Sequence, residues 1–452
     1  MPSRPRVYRP SVFSRVRDYT FKTFALASFL GGVAETIRRG SPGKRKARKG
    51  TWSSRLISQN LKQFRYILPF MKRPHELDSE NSPKEKIGKT DFILDGTRGF
   101  RKCAMLIVYS GTGYYGMQKN EGFRTIEGEL LSALHNAGYI TEEHVKNQQL
   151  IHFSRASKTD KNVSATGQVC SAKLPISNLS VHKINSLLPD QIRVLDVFRV
   201  TKNFNPKTAC NYRVYQYLFP TFAFAPRDSL QLNNCWDYRL PSEKLTRVNE
   251  LLLRYKGTHN FFNFTSRRAP NDKSCVRYIM SMECGSPFLL DGNREFAVIS
   301  VQGQSFMLHQ IRKMIGLVIG IVKGYATEDI FEKVFETERM DIPRAPGLGL
   351  LLDQVCFTRY NNRFCTDQSH KSIDWERYKH QIEKFKEEYI FKHMVKCEVE
   401  ENSMFEWMSN LDLHTFDKRD SGSLPSSATS SPPGSPNLAD NFADGDEIST
   451  NP

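Results

Sequence analysis

Between residues 98 and 360 the apolar periodicity passes through the same order of elements twice, and this repetition limits the fold more than any single stretch does. In the first pass "KCAMLIVYS" reads as a strand and "TIEGELLSALHNAG" as a helix with Thr125 placed to cap it. "LIHFS" and "GQVCSAKL" follow as two strands, "NLSVHKINSLL" as a helix and "IRVLDVFRV" as a strand. In the second pass the order is "NYRVYQYLF" strand, "SEKLTRVNELLLRY" helix, "VRYIMSMEC" and "EFAVISVQGQ" strands, a helical region over 307–336, and "GLLLDQVCFTR" as the last strand. Two tandem βαββαβ units predict an α+β protein built on a pair of antiparallel sheets. Each sheet carries helices on one face and leaves the other free to bind, and the cleft between the halves is the natural site.

Around this pair the composition changes. Residues 1–97 read as a basic arm, 98–205 as the first half, 206–362 as the second, 363–412 as a helical extension and 413–452 as a Ser/Pro-rich acidic tail unable to build a core. Within the extension, "SIDWERYKHQIEKFKEEYIFKHM" has the pattern of an amphipathic helix. The formal net charge of +17 points to a polyanionic partner, but residues 1–89 alone hold 21 Lys and Arg against 6 Asp and Glu. Any nucleic-acid surface on the folded part must therefore come from local clustering. The first 50 residues, rich in Arg and Ser with only Asp18 and Glu35 as acids, have the composition of a mitochondrial transit segment. "GKRKARK" would serve equally as a nuclear localisation patch, and a disordered basic arm fits both stretches. Nine cysteines without a CxxC pair argue against a disulfide framework and a zinc site, and for a reducing compartment. "MLHQIRKMIGLVIGIVKG" is interrupted by His309, Arg312 and Lys313, too polar for a membrane span, and reads as a buried core helix. A protein of membrane surfaces is disfavoured because the folded part has no basic face comparable to the arm.

The chemistry-bearing stretch is "SRASKTDKNVSATGQVCSAKL", where Asp160 stands alone between Lys158 and Lys161 on the connection before a strand. A loop aspartate is commonly a turn-former, but a sheet-edge loop also suits a catalytic group. Arg312 and Lys313 lie in an otherwise apolar helix, where a charge must face solvent or a carboxylate; a turn running from Leu308 through Ile311 to Ile315 toward the core puts Arg312 at its rim. An arginine there either keeps Asp160 ionised for chemistry or makes a structural ion pair. On "YRVYQYLF", alternation groups Arg213, Tyr215 and Tyr217 on one face, a row on which a base could stack or which could serve packing. "RYKGTHNFFNFTSRRAPNDKSCVRY" interleaves His259, Arg267 and Arg268 with aromatics, the composition of an RNA-gripping loop or of a solvated charged one.

"SKTDKNVSATGQV" resembles the "RTDKGVxAxGQV" segment of the TruA-type pseudouridine synthases. "YSGTGYYGMQKN" with "TIEGELLSAL", "YKGTHNFFNFTS", "VQGQSFMLHQIRKMIG" and "APGLGLLL" match further blocks of that family in order, over about 98–360, closest to its eukaryotic branch. The resemblance implies two ferredoxin- or RRM-like units around a positively charged RNA cleft. It also implies Asp160 as the catalytic aspartate, Tyr215 stacking on the target base, Arg312 paired with Asp160, and no metal or other cofactor. The implied reaction detaches uracil from C1′ of the ribose and rejoins it through C5, in tRNA, with the anticodon arm expected and mRNA as a further substrate. Asp160 would act as a nucleophile or as a base. The flanking Lys158, Lys161, Arg213, His259, Arg267, Arg268 and Lys313 are the expected RNA contacts. Two positions depart from the family pattern: Lys158 stands for an arginine that offers a planar fork, and Asn162 for a glycine. Asn is the non-glycine residue best suited to positive φ, so the loop shape is expected to survive. The alternative is an RNA-binding protein that kept the fold without the chemistry; against it stands a carboxylate placed among phosphates, which would repel them.

Overall fold

The computed structural model describes residues 99–419 apart from 228, 230, 267, 367 and 368; the expected arm 1–97 and most of the expected tail lie outside the described residues. The first strand, β1 (Arg101–Tyr109), is buried without interruption from Cys103 to Tyr109, as a strand covered on both faces must be. After it come β2 (Ser154–Arg155), β3 (Ser164–Leu174) and β4 (Ile192–Arg199), then β5 (Tyr212–Pro220), β6 (Gly257–Asn260), β7 (Val276–Cys284), β8 (Phe288–Leu290), β9 (Arg294–Gly303) and β10 (Leu350–Cys356). Between them run α1 (Ile126–Asn136), α2 (Glu142–Lys146), α3 (Val181–Asn185), α4 (Pro206–Ala209), α5 (Ser242–Leu253), α6 (Gln310–Val322) and α7 (Ile330–Lys333). Thr125 caps α1 as expected, accepting from the Gly128 amide at 3.2 Å.

The architecture is mixed α and β, but the strands form one sheet where the sequence suggested two. Its order is β4-β1-β3-β10-β5-β9-β7-β6, with β2 on β3 and β8 on β9. All strand pairs are antiparallel except β3 with β10, where Ser164 and Ala165 stand opposite Leu351 and Leu352. Two separate sheets would leave these strands with unpaired backbone edges, and joining them satisfies both. The approach demands glycine on one side, since a Cβ on Gly167 would fall 2.4 Å from the Asp353 carbonyl.

Nor is the second face of the sheet free. On one face Tyr215, Tyr217 and Phe219 share a core with the apolar sides of α1, α5 and α6. On the other, Val108, Leu218, Phe296 and Leu351 pack against Phe385, Ile390, Met394 and Val395 of the C-terminal extension. That extension is not a single helix over 372–394. It comprises α8 (Thr358–Phe364), a 3₁₀ turn, α9 (Lys379–Phe385), a π-helical stretch (Lys386–Phe391), α10 (Lys392–Glu401) and α11 (Ser403–Ser409). Asn402 breaks the run at φ 49°, and buried Glu398 accepts from the Met404 amide and the Ser403 hydroxyl across the bend. Burial pushes the Glu398 carboxyl up to about 7. The packed chain then continues to Arg419, past the 412 boundary expected for it: Phe416 is buried against Gly320, and Met340 bridges Lys418.

Among the described residues, no helix is long and apolar enough to cross a membrane. Among the described residues, none of the nine cysteines forms a disulfide.

Candidate active site

Asp160 sits on the loop between β2 and β3, which hydrogen bonds hold at its entry and along its far side. At the entry, Arg155 of β2 is held by the buried Glu127 of α1 at 2.8 Å, and the Ala156 amide donates to the Val169 carbonyl. Gln168, fully buried in the middle of β3, then grips Ser157 twice: its Nε2 donates to the Ser157 carbonyl at 2.8 Å and its Oε1 accepts the Ser157 amide at 3.2 Å. Thr159 is fixed by its hydroxyl, 2.8 Å from that of Tyr109, and by its carbonyl, which accepts the Met117 amide at 3.0 Å.

The far side of the loop rests on residues 111–117. The Asn162 amide donates to the Tyr114 carbonyl and its Oδ1 accepts from the Gly113 amide. Gly116, at φ 93°, lets the two segments touch; a Cβ there would lie 2.6 Å from the Thr159 carbonyl. Asp160 opens a turn closed by the Val163 amide, whose third residue, Asn162, has φ 62°. That is the left-handed conformation which asparagine tolerates and which the family glycine suggests. The side chains of Lys158, Asp160, Lys161 and Asn162 are what this seated loop exposes.

Across the seam, the second half supplies Tyr215 and Arg312. Tyr215 is buried on β5 with its hydroxyl 3.1 Å from the Ser157 hydroxyl and its ring edge-on to Phe306 at 5.2 Å. Burial raises its hydroxyl pKa, the Ser157 bond lowers it, and the charge of Asp160 raises it further. Arg312 donates from Nε to the Ala345 carbonyl at 2.7 Å. Burial and the neighbouring Arg344 pull its guanidinium down to about 10 while Tyr217 and Asp160 pull the other way, so it remains a cation at neutral pH. Asp160, from the first half of the sequence, is thus within electrostatic reach of both Tyr215 and Arg312, from the second.

The other expected contacts divide. Lys158 is exposed beside Asp160, and Lys161 places its ammonium 4.5 Å over the exposed Tyr115 ring. Arg213 points its guanidinium at protein carbonyls, those of Gln304 at 2.9 Å and Ala156 at 2.8 Å, and so steadies the loop entry. Lys313 likewise donates to the Asn263 carbonyl at 3.0 Å, and burial, with Arg339 and Arg419 adding to it, lowers its ammonium to about 7. His259, on β6, stacks on Phe335 at 4.2 Å. Arg268 is exposed near Asp272, and Arg267 lies outside the described residues. Of the aromatics of 254–278, Tyr255, Phe261, Phe262 and Phe264 are buried, because the segment wraps into the core beside α7, and Tyr278 is left exposed. Tyr217 is also core, donating to the Pro346 carbonyl at 2.7 Å. Leu308, expected to face the core, is exposed, because His309 turns at φ 65° and α6 begins only at Gln310.

Sequence reasoning missed Gln168, Ser157, Thr159 and Tyr109, which seat the loop. The one local signal was a glutamine in a strand made mostly of small, hydroxylated and apolar residues. Among the described residues, no group of three or more His, Cys, Asp or Glu side chains is arranged to hold a metal ion.

The family described as "tRNA pseudouridine synthase" matches residues 252–358. The chain is similar to "Pseudouridylate synthase 1 homolog" of Mus musculus, 50% identical over 319 residues that cover 70% of this chain and 75% of that one. The Homo sapiens protein of the same name is 50% identical over 315 residues, 69% of this chain and 73% of that one. "tRNA pseudouridine synthase 1" of Yarrowia lipolytica is 32% identical over 428 residues, 76% of this chain and 81% of that one.

Proposed function

The chain belongs to the tRNA pseudouridine synthase family, isomerases that convert uridine to pseudouridine in tRNA, and on that footing we propose that Asp160 carries the reaction here with Arg312 and Tyr215 as its partners. The observation that carries this reading is the seated loop, which offers an exposed carboxylate within electrostatic reach of a half-buried cation and a buried tyrosine.

The isomerisation breaks the N1–C1′ bond and forms C5–C1′; the C5 hydrogen leaves as a proton and N1 gains one, so no electrons are exchanged with a cofactor. Arg312 keeps Asp160 ionised, as either assignment requires, whether the carboxylate attacks the sugar or base or removes a sugar proton. The flipped uracil would pack beside Tyr215, whose ring is held edge-on by Phe306.

Pairing β4-β1-β3-β2 in the first half and β10-β5-β9-β7 in the second supports two βαββαβ units fused edge to edge. Structured mRNA is a further substrate on this reading, and the basic composition of 1–97 supports a targeting arm for mitochondrion or nucleus.

The test is to incubate the purified protein with unmodified tRNA transcripts and follow proton release from C5. Pseudouridine formation is the expected result. A folded protein that binds tRNA and forms none would leave the non-catalytic binder, which the lysine at 158 favours.

A further inference from the structure

Positive charge concentrates where α6 begins. Arg312 and Lys313 lie in its first turn, and Arg344 lowers the pKa of both. Arg339 and Arg419 also act on Lys313. Of the carboxylates that act on this cluster, Asp160 lies on the catalytic loop near Arg312, and Asp341 is already engaged by His414 Nδ1 at 3.1 Å and by Arg419 Nε at 3.2 Å. Arg339 is spent on the Phe262 and Thr265 carbonyls at 3.0 and 3.1 Å.

Arg344 differs from these. It is exposed, and its Nη1 lies 2.9 Å from His309 Nε2, a group that orients a guanidinium without neutralising it. Its position is fixed by the next residue: Ala345 accepts from Arg312 Nε at 2.7 Å and donates to the Arg312 carbonyl at 3.2 Å. An oriented arginine is therefore anchored one residue from the contact that holds Arg312. Exposed Leu308 follows on from it as apolar surface beside His309. Gathering like charges costs repulsion, which an anion with several acceptor oxygens relieves.

We propose that Arg344, oriented by His309, receives a backbone phosphate of the RNA next to the target uridine, with Leu308 against the adjoining sugar or base. This rests on the pseudouridine synthase reading for the identity of the RNA. It also gives the chain beyond residue 89, where 44 Lys and Arg stand against 42 Asp and Glu, a local grip on a polyanion.

The test is Arg344→Ala in the full-length protein, with an unmodified tRNA transcript bound across a salt series and turned over in single-turnover reactions. Affinity should fall about tenfold, the loss of one charge-assisted contact, and the slope of log affinity against log salt should flatten by about one. The saturated rate should stay within about threefold of the parent's, since binding shared by ground and transition states is removed. Arg344→Lys should recover the slope but only part of the affinity. Arg377→Ala, on the extension, should change neither.

Unchanged affinity and slope in Arg344→Ala would overturn the proposal. So would a loss confined to the saturated rate, or an equal loss in Arg377→Ala, which would make the effect one of net charge. If the parent binds tRNA but forms no pseudouridine, the functional reading fails while the comparison of slopes still decides the phosphate site.

Discussion

Replacing Gln168 with methionine keeps the volume of a fully buried side chain and deletes the two bonds to Ser157, at 2.8 and 3.2 Å, by which β3 holds the Asp160 loop. Each such bond contributes about 1 kcal/mol net, so the native seating of the loop loses about 2 kcal/mol relative to its alternatives. With RT near 0.6 kcal/mol, that is a factor of about 30 in the population of the aligned loop, if the arrangements it competes with become equal to it once the bonds are gone. Tyr109 and the 111–117 segment still hold Thr159 and Asn162, so the protein should fold and bind tRNA. The saturated single-turnover rate should fall about 10- to 30-fold while tRNA affinity changes less than about threefold, because misplacing a reacting group is costlier to the barrier than to binding. Proton release from C5 under single-turnover conditions reads the rate, and filter binding the affinity. A variant with a lowered melting temperature but a rate within threefold of the parent would refute the reasoning, since the bonds would then support the fold alone.

Asn162→Gly should alter turnover by less than about threefold: it relieves a left-handed φ of 62° but loses the bond from the Gly113 amide, two effects of about 1 kcal/mol that oppose each other. Steady-state kinetics checks this, and a tenfold change in either direction would show that the side chain does more than shape the turn. Lys313 predicts a pH effect on stability. Its ammonium, at about 7 in the fold against 10.5 ordinarily, binds a proton in the unfolded chain that the native state lacks between those values. Stability therefore gains about 1 kcal/mol per pH unit from this group as pH rises from 7 to 9. Denaturant unfolding of Lys313→Met should give a flatter dependence than the parent's over that range, and parallel curves would contradict it.

The parts of the fold legible in the sequence were those with a local period. β1, β5 and β9 show as apolar or alternating runs, and α1 announces itself through Thr125. β6, "GTHN", has no pattern a reader would select, and "LIHFS" looks like a strand although only Ser154 and Arg155 pair there. The fusion of the two halves depends on Leu351 and Leu352 lying beside Ser164 and Ala165, a parallel pairing between positions 187 residues apart that leaves no local trace. The site followed the same division. Asp160 and Arg312 stood out as charges in the wrong company. Arg213 and Lys313 also look like RNA contacts in sequence, yet the structure turns both toward backbone carbonyls of neighbouring loops. Arg344 was invisible because its meaning comes from His309, thirty-five residues away, and from the contact of Ala345 with Arg312.

The most direct measurement is the saturated single-turnover rate of Asp160→Asn on an unmodified tRNA transcript, made alongside its affinity for the same RNA. The substitution keeps the shape of the turn closed by the Val163 amide and removes one negative charge from among the phosphates. The account predicts no detectable pseudouridine, with binding equal to or slightly tighter than the parent's. A rate within tenfold of the parent's would contradict it and take Asp160 out of the chemistry.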